Sequence, residues 1–110
     1  INGYKGKQVR DNIHADDLCE AFYEFYLNPK KDAIYNIGAG RRSNNSIIEA
    51  LHQAGDILGK KPIYTILDEI RKFDHQWCIY SASKFKSDYP NWEIKYDNNK
   101  LMEEICSQYK

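Results

Sequence analysis

The chain has 110 residues, of which 42% are hydrophobic and 29% charged, and its 16 basic and 16 acidic side chains give no net charge. A balanced charge provides no general field for nucleic acid or an anionic membrane, and no apolar run approaches the roughly 20 residues that span a bilayer. The odd, widely separated cysteines fit neither a disulfide framework nor a CxxC metal site and favour packing roles in a reducing, cytoplasmic environment: Cys19, Cys78 and Cys106.

The first part of the chain alternates strand and helix patterns. Residues 7–13 have the alternation of a strand, and residues 16–27 predict a helix, because apolar side chains recur at helical spacing and acids crowd its positive N-terminus. Residues 33–37 form a short apolar run that predicts a second strand. Residues 38–45, which contain two glycines, predict a loop.

The sequence predicts where a second helix begins and where it ends. Ser46, with Glu49 three residues later, has the spacing of a capping box, and Gly59 is a helix stop. Residues 62–67 then predict a third strand, entered by proline, and the polar residues 68–76 predict a loop.

The last part of the chain predicts two further helical segments. Residues 82–87 indicate a short helical turn, and Asp97 can cap a final helix with four inward side chains: Leu101, Met102, Ile105 and Cys106. No internal repeat, low-complexity segment or linker interrupts the pattern. The sequence therefore predicts one α/β domain over residues 1–110.

The glycine loop after the second predicted strand has some features of a dinucleotide-binding motif. Gly38 and Gly40 stand between a strand and a helix, but Ser43 occupies the place of the third glycine. The loop is also too long to bring a pyrophosphate to the helix cap as that motif requires. We therefore expect the glycines to serve the turn, and we expect this chain by itself to bind no NAD.

Residues 10–17 read Arg-Asp-Asn-Ile-His-Ala-Asp-Asp. They resemble the Arg-Asp-x-Ile-His-x-x-Asp signature of the extended short-chain dehydrogenase/reductases, which are NAD-dependent nucleotide-sugar epimerases and dehydratases. The resemblance extends over residues 3–105, and residues 35–40 match the Tyr-Asn-Ile-Gly-x-Gly segment of the substrate half. It implies a small C-terminal substrate-binding domain of short strands and about four helices, without the Rossmann domain that would bind NAD in the parent enzyme. Such a fragment should be inactive alone.

Three stretches make the resemblance more specific within the family. Residues 3–14, 74–77 and 89–92 are similar to the CDP-paratose (CDP-tyvelose) 2-epimerase branch. This similarity implies a CDP-sugar substrate and an isomerase that transiently oxidises the sugar with tightly bound NAD. Two alternatives stay open. The reaction could be dehydration or decarboxylation by the same family, or the chain could be a stand-alone module that binds a phosphorylated ligand.

The resemblance implies a substrate site built from two loop regions. Arg10 and Arg71 match the positions that bind the nucleotide diphosphate, and a guanidinium suits this role because its planar fork binds phosphate oxygens bidentately. Phe73 stands where the family prefers glycine. Asp74 and His75 are the candidate sugar or ribose contacts.

Other polar residues of the motifs are expected to have structural roles. His14 is expected to be a hydrogen-bonding group at the strand–helix junction, and Asp11 and Asp17 to fix loops and a helix start. Tyr80 and Lys84 have the spacing of the superfamily's catalytic pair but follow the arginine signature instead of preceding it. The match of Ala82-Ser83-Lys84 to a family segment at this place implies that they are not catalytic.

The helix predicted at residues 16–27 carries more aromatic surface than one buried stripe needs. The resemblance implies that this surface packs against the Rossmann domain of the same enzyme, and a homodimer is a further possible partner. In the isolated chain we expect it to be exposed. The side chains concerned are Phe22, Tyr23, Phe25 and Tyr26.

Overall fold

A small mixed sheet organises the chain in a computed structural model that describes residues 1–109. Its strands are β1 (Val9–Asp11), β2 (Asn44–Ser46) and β3 (Trp77–Cys78), in the order β2-β1-β3. Strand β2 runs antiparallel to β1, and β3 runs parallel to it. Arg10 on the central strand therefore has neighbours from both distant parts of the chain.

Four helices surround the sheet in the described part of the chain, and 3₁₀ turns occur at Tyr4–Gly6 and Gly40–Arg42. This arrangement confirms the predicted small α/β fold class. The helices are α1 (Ala15–Leu27), α2 (Ile47–Leu58), α3 (Ser83–Asp88) and α4 (Asn98–Ser107).

The helix starts follow from local side-chain chemistry. The ring of His14 accepts the Asp16 N–H at 3.1 Å and so caps α1, which confirms its structural role at the strand–helix junction. Ser46 and Glu49 form the expected capping box at α2, and a left-handed Gly59 ends that helix. Asp97 accepts the Lys100 N–H and caps α4, as predicted.

The strand predictions are the least accurate. Residues 33–37 form no strand in the described chain, and residues 62–67 make only an isolated bridge, between Asn2 and Leu67. The strand predicted at 7–13 is shorter, and β2 lies partly where a loop was predicted. A strand exists only where a partner backbone is in reach, which a local pattern does not reveal.

Two side-chain predictions are also wrong. Ile105 is not buried with Cys106, because it is 49% exposed. Cys19 is exposed on α1, so it is not a packing residue, whereas Cys106 is buried.

An aromatic core joins α1, α3 and the segment after α3. Phe85 packs edge-on to Trp92 at 5.1 Å and against Tyr89 at 4.6 Å between ring centroids, with the buried Ala21 of α1 beside them. Each such aromatic pair contributes about 0.5–1.5 kcal/mol beyond its buried area. Tyr35 and Ile37 of the extended segment pack on the same cluster.

The chain is flat for its size. Its extents are 47 × 35 × 17 Å and its radius of gyration is 16.4 Å, whereas a compact chain of this length has about 13 Å. Its accessible surface is 7982 Å², about 1,700 Å² more than the size scaling for its 12.9 kDa mass predicts. The expected aromatic exposure on α1 is observed at Phe22, Tyr23 and Tyr26, which are 63%, 60% and 77% exposed. Phe25, the fourth side chain, is instead partly buried against the aromatic core.

None of the helices described here has the length and apolar character that a membrane crossing requires.

Candidate functional site

Arg10 forms an ion pair with Asp74, one of the predicted sugar contacts. The Arg10 Nη2 lies 2.8 Å from the Asp74 Oδ1, and Nη1 donates to the Val9 carbonyl at 2.7 Å. The Arg10 side chain is 36% exposed and the Asp74 side chain only 17%. The guanidinium is thus fixed at two nitrogens, and part of its donor edge still faces solvent.

A tight turn presents the second predicted arginine. The Asp74 N–H donates to the Arg71 carbonyl at 3.1 Å, and Phe73 has a φ of 63° at the third position of this turn. A positive φ there is the geometry of a type II turn and normally calls for glycine. Phe73 therefore adopts the conformation for which the family's glycine is suited.

The other two predicted residues are exposed neighbours of this turn. The Arg71 side chain makes no hydrogen bond or ion pair within residues 1–109, and the exposed His75 side chain, next to Asp74, makes none there either. The structure thus brings Arg10 and Asp74 into direct contact, and it places Arg71 and His75 on the same short loop as Asp74.

A cavity of about 640 Å³ lies beside the sheet, between the loop at residues 38–42 and the segment at 79–82. Asp11 fixes both walls, because one of its carboxylate oxygens accepts the Gly40 N–H at 3.1 Å and the Tyr80 N–H at 3.2 Å. This contact confirms the expected loop-fixing role of Asp11. Trp77 and Tyr80 contribute aromatic surface to the lining.

Electrostatics links Arg10 to this cavity. Hydrogen bonding and charge at the Cys78 thiol, followed by burial, raise the pKa of the Tyr80 phenol. The charge of Arg10 opposes this effect and lowers the same pKa by less. Tyr80 lines the cavity, so the charge of Arg10 acts on one residue of its lining.

Tyr80 and Lys84 do not form a catalytic pair in this structure. Tyr80 precedes α3, so the two side chains do not share a helix face. The Lys84 ammonium instead donates to the Ile34 carbonyl at 2.8 Å and lies 5.2 Å from the centre of the Tyr35 ring. These contacts agree with the non-catalytic role that the sequence resemblance implies.

The glycine loop has structural reasons for its glycines and does not fit a dinucleotide. A Cβ at Gly38 would lie 2.2 Å from the Asp11 carboxylate, and Gly40 has a φ of 60°. The loop continues into a 3₁₀ turn and β2, so its N–H groups do not form the start of a helix. No NAD chemistry can be derived from these residues.

Sequence reasoning missed two cations at the cavity. Arg41 and Arg42 follow the glycines in the 3₁₀ turn and line the cavity from the side of the loop. The adjacent pair of arginines, directly after Gly40, is the sequence signal for these cations. In the described residues, no group of three His, Cys, Asp or Glu side chains is placed to bind a metal ion.

The fold is that of a part of several solved nucleotide-sugar enzymes, although no protein-family model matches the sequence. The chain is 26% identical to dTDP-glucose 4,6-dehydratase from Bacillus anthracis, in complex with NAD, with a TM-score of 0.80 over 99% of this chain and 33% of that one. For UDP-glucose 4-epimerase from Bifidobacterium longum, in complex with NAD⁺ and UDP, the values are 22% identity and 0.78, over 94% of this chain and 32% of that one.

A third similar structure is a mutant UDP-glucuronic acid 4-epimerase from Bacillus cereus, bound to NAD and a fluorinated UDP-sugar. It is 19% identical, with a TM-score of 0.82 over 100% of this chain and 35% of that one. The chain therefore spans about a third of the length of these enzymes. The residues that they contain beyond this third have no counterpart in the 110 residues.

Proposed function

We propose that the chain is the nucleotide-sugar-binding domain of an NAD-dependent epimerase or isomerase, and that the substrate is a CDP-sugar. The residues assigned to the substrate are Arg10 and Arg71 at the diphosphate, with Asp74 and His75 at the sugar or ribose. NAD belongs to the domain that these residues lack. The cytoplasm is the proposed location.

The observation that carries the proposal is the Arg10–Asp74 ion pair. Its partners come from the two segments that the family resemblance assigns to the substrate, and they are 64 positions apart in the sequence. A paired arginine has its orientation fixed before a ligand arrives, so less conformational freedom is lost when phosphate oxygens bind the remaining N–H groups. Arg71, on the turn that ends at Asp74, supplies the second cation.

An open site is expected of one half of a two-domain enzyme. Ligand sites often lie between domains, and the chain has an open cavity of about 640 Å³ lined by Trp77 and Tyr80 among others. In the proposed enzyme the NAD-binding domain closes the other side. The fold likeness to solved enzymes whose complexes contain NAD and nucleotide-sugars or UDP supports this arrangement.

The binding test is an NMR titration of the isotope-labelled 110-residue chain with CDP-glucose. We expect chemical-shift changes at Arg10, Arg71, Asp74 and His75, and much weaker changes with cytidine, which lacks the diphosphate. Arg10→Ala should remove them, while Lys31→Ala, an exposed cation far along the chain, should leave them intact. Shift changes confined to Arg41 and Arg42 would move the phosphate site to the cavity loop and contradict the assignment.

The reaction is tested on the enzyme that includes the NAD-binding domain. Incubation of a CDP-sugar in deuterated water, followed by proton NMR of the sugar, distinguishes the possibilities. A 2-epimerase inverts one carbon and conserves the mass of the substrate. Retention of both configuration and mass with every CDP-sugar tested would refute epimerisation.

Dehydration is the second candidate, because the B. anthracis dehydratase is the more similar in sequence of the structures described above, at 26% identity. Loss of water lowers the product mass by about 18 Da, so mass spectrometry separates it from epimerisation. The third candidate is a stand-alone module that binds a phosphorylated ligand. Such a module would also bind CDP-glucose in the titration, but it would not be part of a larger natural protein.

A further inference from the structure

The turn that carries Arg41 and Arg42 is fixed by its neighbours. The Asp11 carboxylate of β1 accepts the Gly40 N–H at 3.1 Å. The Asn44 side-chain amide of β2 donates to the Gly40 carbonyl at 3.3 Å and to the Arg41 carbonyl at 2.9 Å. Three backbone groups of the turn are thus attached to the sheet, so both arginine side chains start from a fixed position.

The two guanidinium groups are exposed and have no protein partner in the described part of the chain. Neither makes a side-chain hydrogen bond or an ion pair within residues 1–109. Both line the cavity of about 640 Å³ beside the sheet. Because a guanidinium fork binds phosphate oxygens bidentately, two such groups on a fixed turn are suited to an anion.

The other charged groups at this cavity leave it cationic. The Lys86 ammonium donates to the carbonyls of Pro90, at 2.9 Å, and Trp92. The Asp11 carboxylate already accepts two backbone N–H groups. Glu93 is the acid that remains in the lining, and it forms no ion pair within residues 1–109. Two arginines therefore outweigh one available carboxylate.

The cavity also has accessible aromatic surface. Trp77 is 58% exposed and Tyr80 is 48% exposed, and both belong to the lining. Nucleobases stack on such rings, and small-molecule pockets measure about 300–1,000 Å³. A cation pair together with exposed aromatic rings, in a cavity of this size, fits a ligand that has both a planar base and a phosphate.

The sheet separates this cavity from the diphosphate contact at Arg10. The register places Trp77 opposite Val9 and Cys78 opposite Arg10, and successive side chains of a strand point to opposite faces. Trp77 and Asp11 therefore lie on the face away from Arg10. The turn that Asp11 fixes lies on that same face, so a ligand between the turn and Trp77 does not share the Arg10 side of the sheet.

We propose that this cavity is a second binding site, which takes a nucleoside phosphate. Arg41 and Arg42 bind the phosphate, and the base stacks on Trp77 and Tyr80. The inference goes beyond the proposed function and does not depend on it, because it uses neither of the arginines assigned to the substrate. It gives the domain a ligand separate from the substrate, through which a nucleotide can act as an effector.

The test is a titration of the 110-residue chain with cytidine monophosphate, followed by tryptophan fluorescence and by NMR. It is performed in the Arg10→Ala background, so that a nucleotide held at Arg10 does not contribute. We expect saturable shifts at the Trp77 indole N–H and at the N–H groups of Arg41 and Arg42. Inorganic phosphate and cytidine should each bind at least about tenfold more weakly, because each lacks one half of the contact. Equal affinity for phosphate and the nucleotide would refute the base contact and overturn the inference.

Variants of the cavity supply losses and a gain of affinity. Arg41→Ala and Arg42→Ala should each weaken binding about tenfold or more, while Lys31→Ala should have no effect. Glu93→Gln should strengthen binding about twofold or more, because it removes the acid that repels the phosphate, and misfolding cannot imitate that result. Unchanged affinity in both arginine variants, or weaker binding by Glu93→Gln, would contradict the assignment.

A comparison with the wild-type chain at Arg10 separates the two sites. The cavity affinity for cytidine monophosphate should agree within about twofold in the presence and absence of Arg10→Ala. A tenfold loss caused by Arg10→Ala would merge the cavity with the substrate site and overturn the inference. Cavity binding together with no response of Arg71 and Asp74 to CDP-glucose in the wild-type chain would refute the proposed function alone.

Discussion

The carboxylate of Asp17, in the first turn of α1, accepts the backbone N–H of Tyr96, 79 positions later, at 3.1 Å. The same carboxylate accepts the Lys95 N–H at 3.1 and 3.2 Å, and the Asp17 carbonyl accepts the Trp92 indole N–H at 2.8 Å. Asp17 is only 1% exposed. One acid of the arginine-containing signature therefore attaches the segment after α3 to the start of α1, which is the structural role expected for it.

Asp17→Asn should lower the free energy of unfolding by about 2 kcal/mol, because an amide accepts at only one atom and leaves a buried backbone N–H without a partner. The measurement is urea unfolding followed by circular dichroism. Asp16→Asn is the matched control, since Asp16 is adjacent, equally acidic and exposed. A cost for Asp17→Asn no larger than for the control would contradict the structural role.

Phe73→Gly should stabilise the chain. Left-handed backbone costs an L-residue about 1–2 kcal/mol, and part of this gain is offset by the greater freedom of glycine when unfolded, which leaves about 0.5–1 kcal/mol. Little contact area is lost, since Phe73 is 85% exposed. Asp32→Gly is a useful comparison, because Asp32 has a φ of 58° but aspartate tolerates this region better. The Lys72 ammonium lies 5.1 Å from the centre of the Phe73 ring. Destabilisation by Phe73→Gly in thermal unfolding would show that this contact outweighs the backbone strain.

The pH dependence of stability should change when Tyr35 loses its hydroxyl. The Tyr35 O–H donates to the Asp88 carboxylate at 2.6 Å, and this bond, followed by burial and the charge of Asp88, raises the pKa of Tyr35. Hydrogen bonds from Lys30 and then Tyr35 lower the pKa of Asp88. A raised pKa means a stabilising contribution that is complete below the unfolded pKa near 10 and is lost as pH rises through the folded value.

We therefore expect wild type to exceed Tyr35→Phe in unfolding free energy at pH 8, and the difference to shrink at strongly alkaline pH. At the acid end, the ionised Asp88 carboxylate stabilises the folded chain above about pH 4, because its pKa is lowered on folding. This contribution is lost as the pH falls through the pKa of Asp88 in the folded chain. Tyr35→Phe should move that acid titration upward, measured by carboxyl carbon NMR. Tyr23→Phe, at an exposed tyrosine of α1, should change neither the alkaline nor the acid part of the stability–pH curve. Equal curves for the two variants would show that the Tyr35–Asp88 hydrogen bond does not cause the pH dependence.

The helices could be predicted from sequence because their determinants are local. Ser46 with Glu49, Gly59 and Asp97 mark helix ends within one turn of the atoms they contact. The strands depend on distant partners. Asn44–Ser46 is polar and becomes β2 only because β1 lies beside it, while residues 33–37 have the pattern of a strand and no described partner.

The sequence proposes members for the candidate site but does not reveal their geometry. Motif order identified Arg10 and Asp74 as separate ligand contacts. Their ion pair joins residues 64 positions apart and depends on the loop returning to β1. The register also places Cys78 opposite Arg10 and Trp77 opposite Val9, so the pleat directs Trp77 to the face opposite Arg10.

The last prediction concerns nucleotide-sugar affinity in the full-length enzyme. Arg10→Ala and Arg71→Ala should each weaken CDP-sugar binding by about ten- to a hundredfold, because each removes a charge-assisted contact of roughly 1.5–3 kcal/mol. Lysine at either position should restore little, since an ammonium lacks the planar fork. The double variant should lose less affinity than the product of the two single losses, because both arginines contact one small diphosphate.

Asp74→Asn should weaken binding only a few-fold, because it frees Arg10 without removing its charge. Isothermal titration calorimetry measures all of these, with Lys31→Ala as the silent control. Near-wild-type affinity of Arg71→Ala would restrict the diphosphate contact to Arg10, and near-wild-type affinity of Arg10→Ala would remove the residue on which the proposed function depends.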